Sequence, residues 1–384
     1  MKVVILAGKF GMGHYQAARA VLEQLEKEYG DVQVEVVDWM EYIFPQLSGM
    51  IYKTYAAIVN HCQWYYNHRY SRLENAEIDQ RPEVALAGRW GVSRLLKEKK
   101  PDILIATLAL CAKTVSSYKE KHRCQVPLIT CVTDITGHSE WINRHTDAYM
   151  VGSEKVKYEF IRKGVPREKI FVTGIPVRLE FHEKLRTKNG YGNGCKKRRK
   201  LLLMGGGLGL LPHDLSFYEA LDRMPGVETT LITGSNQALR RRLEGRFPHI
   251  QVLGYVQNIS DHLRDSDLVV TKPGGITVFE AVSVATPVAA LNPRLKQEVY
   301  NAVYLEENRL GEVIWGDAEE CLDRLEALLS DSRKLAYYKM QMRRLQHRLD
   351  YHGISEVIDY VIREEMNRYA AKHRKLRGAV GFNI

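Results

Sequence analysis

The chain has 384 residues, of which 45% are hydrophobic and 27% charged. That balance is globular and excludes a disordered or collagen-like chain, and about 100–200 residues per domain predicts two or three domains. Lys and Arg number 56 against 46 Asp and Glu, a formal charge of +10, which favours nucleic acid, anionic lipid or nucleotide phosphates as partners without choosing among them.

Residues 2–8 form a continuous apolar run, too short for a signal-peptide core, and read as the first strand of a cytosolic protein. Residues 14–29 have helical periodicity, and 32–37 read as a second strand. Residues 39–72 break the alternation, mixing Trp39, Tyr52, Tyr55, Trp64, Tyr65 and Tyr70 with Lys53, Arg69 and Arg72. Such amphipathic helices suit a membrane interface, or else a helical pair packed on a sheet. A helix over 84–99, a break at Pro101 and strands at 102–106, 126–132 and 148–151 follow. Short apolar strands alternating with helices predict an α/β fold, a parallel sheet covered on both faces. Residues 183–200 are polar, with three glycines and five consecutive basic residues at 196–200, and mark a boundary. The alternation restarts with strands at 200–204, 228–233, 251–253, 268–271 and 288–291. A helical pattern at 355–366 then runs into a basic tail.

Two doubly wound, Rossmann-like domains facing a cleft are therefore expected: residues 1–185, a linker at 186–200, and 201–349, with the C-terminal helix 350–384 packing back on the first. No run of about 18 apolar residues predicts a membrane-spanning helix. The six cysteines lack C-x-x-C spacing and indicate neither a zinc site nor a disulfide framework.

Two segments carry the pattern of phosphate binding. Gly8-Lys-Phe-Gly11-Met-Gly13-His14 follows the first strand and opens the first helix, where glycines permit a tight turn and the helix start favours negative charge. A dinucleotide fingerprint with Asp38 as the ribose acid is the rival reading, weakened by Gln16 where a third glycine belongs. An ionisable His14 at a cleft suits general base work. The second segment runs from Thr271 and Lys272 through Pro273, Gly274, Gly275 and Ile276 to Glu280. Here bare amides and a helix dipole would meet a ligand, with Glu280 placed for ribose hydroxyls. Glycine turns at Gly205-Gly206-Gly207 and Gly234 end two further strands, where open parallel sheets bind ligands. A nucleotide diphosphate is the expected fit.

Gly11-Met-Gly13-His14, Val132-Thr133-Asp134 with His138 and Trp141, Thr173-Gly174-Ile175-Pro176-Val177-Arg178, Leu253-Gly254-Tyr255-Val256 and Thr271 to Thr277 stand in the order of a known family. Together they resemble the diacylglycerol glycosyltransferases, the bacterial processive glucosyltransferases and plant monogalactosyldiacylglycerol synthases, from about residue 1 to 345. More distantly they are similar to the peptidoglycan lipid-linked N-acetylglucosaminyltransferase. The resemblance implies a glycosyltransferase-B fold and an inverting, metal-independent transfer of a hexose from a UDP-sugar to diacylglycerol or glycosyl-diacylglycerol, with no other cofactor. It implies His14 as the base, with Asp134 as an alternative base or orienting group. Tyr255 and Val256 would pair with uracil, Gly274, Gly275 and Ile276 would hold the diphosphate, and Glu280 the ribose. Gly13, Gly207, Gly234 and Lys272 would line the donor site.

Gln297, Glu298 and Asn301 match the family's sugar-contact stretch, although Arg294-Leu295-Lys296 replaces its Pro-Gly turn. On the acceptor side the expected residues are Trp39, Tyr52, Trp64, Tyr65, His138 and Trp141. The expected partners are a UDP-sugar, a membrane lipid acceptor and an anionic lipid surface at the cytoplasmic face, and no nucleic acid; the hexose, processivity and oligomeric state stay open. Rival readings are transfer of N-acetylhexosamine to a polyprenyl-linked acceptor, a nucleotide-sugar-binding protein without turnover and, remotely, an NAD-dependent oxidoreductase.

Overall fold

The computed structural model describes residues 1–74, 85–182, 198–206, 211–212, 214–349 and 353–380, the side chains of 60, 85 and 371–380 excepted. Its first part runs β1 (Lys2–Ala7), α1 (Gly13–Glu28), β2 (Gln33–Asp38), α2 (Trp39–Ile43), α3 (Ser48–His61), α4 (Gln63–Glu74), α5 (Ala85–Lys99), β3 (Ile103–Ala106), α6 (Ala109–His122), β4 (Leu128–Cys131), β5 (Ala148–Val151), α7 (Glu154–Arg162) and β6 (Ile170–Val172). The second runs β7 (Arg199–Met204), α8 (Leu215–Asp222), β8 (Val227–Ile232), α9 (Gln237–Leu243), β9 (Ile250–Leu253), α10 (Ile259–Arg264), β10 (Leu268–Thr271), α11 (Gly275–Val284), β11 (Val288–Leu291), α12 (Lys296–Glu307), β12 (Gly311–Ile314), α13 (Ala318–Ser330), α14 (Ser332–Gln346) and α15 (Gly353–Val380).

The strands form two six-stranded parallel sheets, ordered β2-β1-β3-β4-β5-β6 and β12-β11-β10-β7-β8-β9. Continuous apolar runs make this possible, because a strand buried on both faces has no polar side to show. Ile5 lies opposite Val36 and Ile105, and Val270 opposite Leu203 and Ala289. The strand order reverses between β1 and β3 in one sheet and between β7 and β10 in the other. Loops diverge at such reversals and leave a crevice beyond the strand ends.

Two strands were not expected from the sequence: β6 and β12. Both are edge strands of three or four residues, and β12 carries Glu312 within an otherwise short apolar stretch.

One hydrophobic core crosses from sheet to sheet. Phe279 of α11 is fully buried, stacks on Tyr304 at 6.2 Å, and abuts the backbone at Gly152 and Gly174 of the first part. A Cβ on Gly174 would lie 3.0 Å from that ring, and its φ of +75° also favours glycine. Helix α15 returns to the first sheet against α1, β5 and β6, and its Ile354, Val357, Ile358 and Val361 join the core that holds Val3, Ile5, Ile103 and Ile129. Arg368 then pairs with Asp147 at 2.9 Å. No described helix is long and apolar enough to cross a membrane.

Candidate active site between the two sheets

The loops at the two reversal points face one another across a cleft of about 290 Å³. On the first side the chain leaves β1 through Gly11 and Met12, both at φ 71°, and enters α1. Left-handed backbone turns the helix start into the cleft, a strained conformation for Met12. His14 sits in this first turn. Its Nδ1 lies 3.1 Å from the Thr107 carbonyl, at the end of β3, and 2.7 Å from the Thr133 hydroxyl, just past β4. A carbonyl can only accept, so the Nδ1 proton points to Thr107 and the lone pair rests on Nε2.

Burial pushes the His14 imidazole below its usual pKa, opposed by the Asp134 carboxylate and the Thr107 carbonyl. Burial likewise raises the Asp134 carboxyl, opposed by His14 and by the neighbouring Trp141 indole. Burial thus favours the neutral imidazole, and the neighbouring Asp134 favours a charge that arrives on it. That combination suits a base that must accept a proton in mid-reaction.

The facing wall is mostly backbone. Gly274 caps α11 without a side chain, and Gly275 is so close to the first part that a Cβ there would sit 2.2 Å from the Thr133 carbonyl. A Cβ on Gly13 would in turn lie 3.6 Å from Ile276. The starts of α1 and α11 therefore share one site, and the unpaired amides of α11 point at whatever fills it. Gly205, Gly206, Gly234, Tyr255, Val256 and Lys272 line the same cleft; Gly207 lies outside the described residues. Glu280 is 8% exposed and lines it too, its carboxyl pushed up to about 7 by burial, against the pull of Arg178.

Gln297, Glu298 and Asn301 reach the cleft, but all three are partly committed elsewhere, Gln297 through the Tyr66 hydroxyl. Glu298 accepts from the Arg294 and Leu295 amides and pairs with Lys272 at 3.7 Å. Asn301, expected to meet the sugar, lines the cleft and also ties the two parts together. Its Oδ1 accepts from the Ile135 amide and its Nδ2 donates to the Pro273 carbonyl, both at 2.9 Å.

The acceptor side needs several corrections. Trp39 is fully buried and stacks on Tyr42, so it faces the core and no membrane. Tyr52 donates to Asp38 at 2.5 Å and is half-buried. Asp38 itself caps α2 and pairs with Lys9, which removes the carboxylate that a dinucleotide would need. His138 is buried, stacks on Tyr70 at 3.8 Å and bonds the Tyr70 carbonyl, a packing role. Trp141 is 1% exposed, its ring 6.2 Å from that of His14, and backs the base without opening to the mouth. Trp64 and Tyr65 are exposed, at 78% and 51%.

Thr107 and Thr133 were not foreseen; each lies just past a strand end, Thr107 after β3 at the reversal point and Thr133 after the neighbouring β4, the one signal that marks them. Tyr55 and Gln16 also line the cleft, and the buried Gln16 Oε1 has no hydrogen-bond partner among the described residues.

Two parallel sheets with a nucleotide-type helix start on one side of their cleft define a glycosyltransferase-B fold. Solved structures of this shape include MurG of Acinetobacter baumannii, at TM-score 0.59 and 17% identity over 94% of this chain and 99% of that one. They also include Anabaena Alr3699/HepE in complex with UDP and glucose, at 0.55 and 16% over 94% and 99%. In sequence, residues 14–177 match the monogalactosyldiacylglycerol (MGDG) synthase family and residues 220–373 the glycosyltransferase family 28 C-terminal domain. A processive diacylglycerol beta-glucosyltransferase of Bacillus cereus (strain 03BB102) is 33% identical over 350 residues, 89% of each chain, and one of Bacillus mycoides (strain KBAB4) is 32% identical over the same share. The chain belongs to the diacylglycerol glycosyltransferase family.

Proposed function

We propose that this enzyme transfers a hexose from a UDP-sugar to a hydroxyl of diacylglycerol or a glycosyl-diacylglycerol, with inversion at the sugar and without a metal. One observation carries the reading: the His14 imidazole and the bare amides of α11 share a single cleft, with Gly275 against the carbonyl of the residue that bonds His14. The acceptor hydroxyl attacks the anomeric carbon from the His14 side as the bond to the UDP oxygen breaks. His14 Nε2 takes the hydroxyl proton, and Asp134 stabilises the imidazolium. Negative charge builds on the departing diphosphate and is met by the α11 amides and dipole, with Lys272 alongside, so the reaction does not call on a divalent cation.

In this reading the first part receives the lipid and the second, from about residue 201, the donor, with Glu280 accepting from ribose hydroxyls. Trp64 and Tyr65, with the exposed Lys53 and Arg69 on the same pair of helices, suit the interfacial region of an anionic bilayer and support a peripheral position at the cytoplasmic face. The family's printed names, among them diacylglycerol beta-glucosyltransferase, support the acceptor class. Product chromatography with diacylglycerol vesicles and UDP-glucose, UDP-galactose and UDP-N-acetylglucosamine tests it, with and without chelator. A hexosyl-lipid formed equally in chelator is expected. Product only from a polyprenyl-linked acceptor, or only with added metal, would refute it.

A further inference from the structure

Helix α4 belongs to the first part yet is bonded along one face to the loop that opens α12 in the second. Asn67 Nδ2 donates to the Arg294 carbonyl at 2.9 Å, and its Oδ1 accepts from the Lys296 amide at 2.9 Å. One amide thus grips two peptide groups, as a neighbouring strand would. Tyr66 donates to Gln297 Oε1 at 2.5 Å, and Tyr300 donates to Glu74 at 3.1 Å. The inner end of the helix is pinned in turn to its own part, through His138 on the Tyr70 carbonyl and Ser139 on the Glu74 carbonyl. Residues 66, 67, 70 and 74 share this face, as helical spacing requires, while Trp64, Tyr65 and His68 occupy the other.

We propose that α4 is a coupling helix, in which Asn67 and Tyr66 are positioning residues. They hold loop 294–297 against the cleft for the donor sugar while the opposite face rests on the acceptor's lipid surface. The proposal rests on the cleft being a UDP-sugar site. Gln297 is the hinge of the argument, since it lines the cleft and its amide orientation is set by Tyr66. Contacts to uracil and diphosphate come from other loops, at Tyr255–Val256 and Gly274–Ile276. Loosening α4 should therefore weaken the hold on the sugar and leave the hold on UDP.

Calorimetry on the full chain would compare UDP with UDP-glucose and UDP-galactose, with and without phosphatidylglycerol vesicles free of diacylglycerol. Asn67→Ala is expected to lose about tenfold in affinity for the nucleotide sugar, a size that two hydrogen bonds account for, with UDP affinity unchanged. Asn67→Asp, which keeps the acceptor for the Lys296 amide, should recover part of the loss. Tyr66→Phe serves as a second probe, and unchanged thermal unfolding shows that the variants fold. Vesicles should tighten nucleotide-sugar binding to the wild type about threefold, on the scale of one weak contact, and leave Asn67→Ala unmoved. An unchanged ratio of nucleotide-sugar to UDP affinity in both variants overturns the proposal, as does a wild type indifferent to vesicles. A wild type that binds neither UDP nor its sugars overturns the reading of the cleft itself, and the proposal with it.

Discussion

The two walls of the cleft are made of different material. The wall at α11 is backbone, with Gly274 and Gly275 presenting no side chain and the first amides of the helix behind them, while the wall at α1 is side chain, with His14, Asp134 and the two threonines. Amides carry fixed partial charges that no pH alters, so the first wall can stabilise an anion but cannot exchange protons. Imidazole and carboxylate can exchange them, and their environment sets when. A backbone wall is consequently sensitive to added volume, and a side-chain wall to deleted chemistry.

The largest effect should come from deleting that chemistry. His14→Ala is expected to lower hexosyl transfer roughly 10²–10⁴-fold while UDP affinity, measured by calorimetry, persists. Unchanged transfer would move the base to Asp134. Adding volume to the other wall comes next. Gly275→Ala forces a methyl to 2.2 Å from the Thr133 carbonyl, so the walls must part, and misplacement of that order lowers transfer about 10²-fold. UDP affinity should fall with it, unlike in His14→Ala, and a variant with wild-type turnover would show that the walls need not touch.

The walls should also separate by pH. Burial pushes the Glu280 carboxyl up to about 7, above its unfolded value. Its effect on stability is therefore favourable in acid and is lost as pH rises through 7. Ribose hydroxyls donate to the ionised form, so UDP should bind about tenfold more tightly at pH 8 than at pH 6, releasing a proton. Glu280→Gln should flatten that profile. The His14 base, lowered by burial, should keep kcat constant until pH falls below the ordinary imidazole range. A single titration governing both kcat and donor affinity would erase the distinction. The smallest effect concerns the outer surface: Trp64→Ala with Tyr65→Ala should weaken vesicle binding several-fold without changing thermal unfolding. Trp39→Ala should instead destabilise the fold by about 3–5 kcal/mol.

Much of the architecture was legible because parallel strands covered on both faces must be apolar throughout, and runs such as 268–271 can be little else. The glycine turns and His14 were legible for a related reason, since strand ends at a reversal point are where ligands go. Residues whose meaning depends on the opposite wall were not. Asn301 follows the expected spacing, yet its amide joins Ile135 to Pro273, a pairing set by tertiary approach alone. The aromatic stretch 39–72 gave composition without direction: Trp39 and Trp64 have equal apolar content, and only packing decides that one is core and the other surface. His138 illustrates the same point, because a buried ring that bonds a helix carbonyl looks from sequence like any cleft histidine.

Helix α15 has a consequence for how the chain is made. Until residues 354–361 emerge from the ribosome, the core that holds Val3, Ile5, Ile103 and Ile129 lacks four of the buried side chains that complete it. The earliest-synthesised sheet is therefore among the last surfaces to be sealed, while the later one can close on its own helices first. Through that interval the nascent protein carries an apolar face that chaperones, or a nearby bilayer, are free to meet.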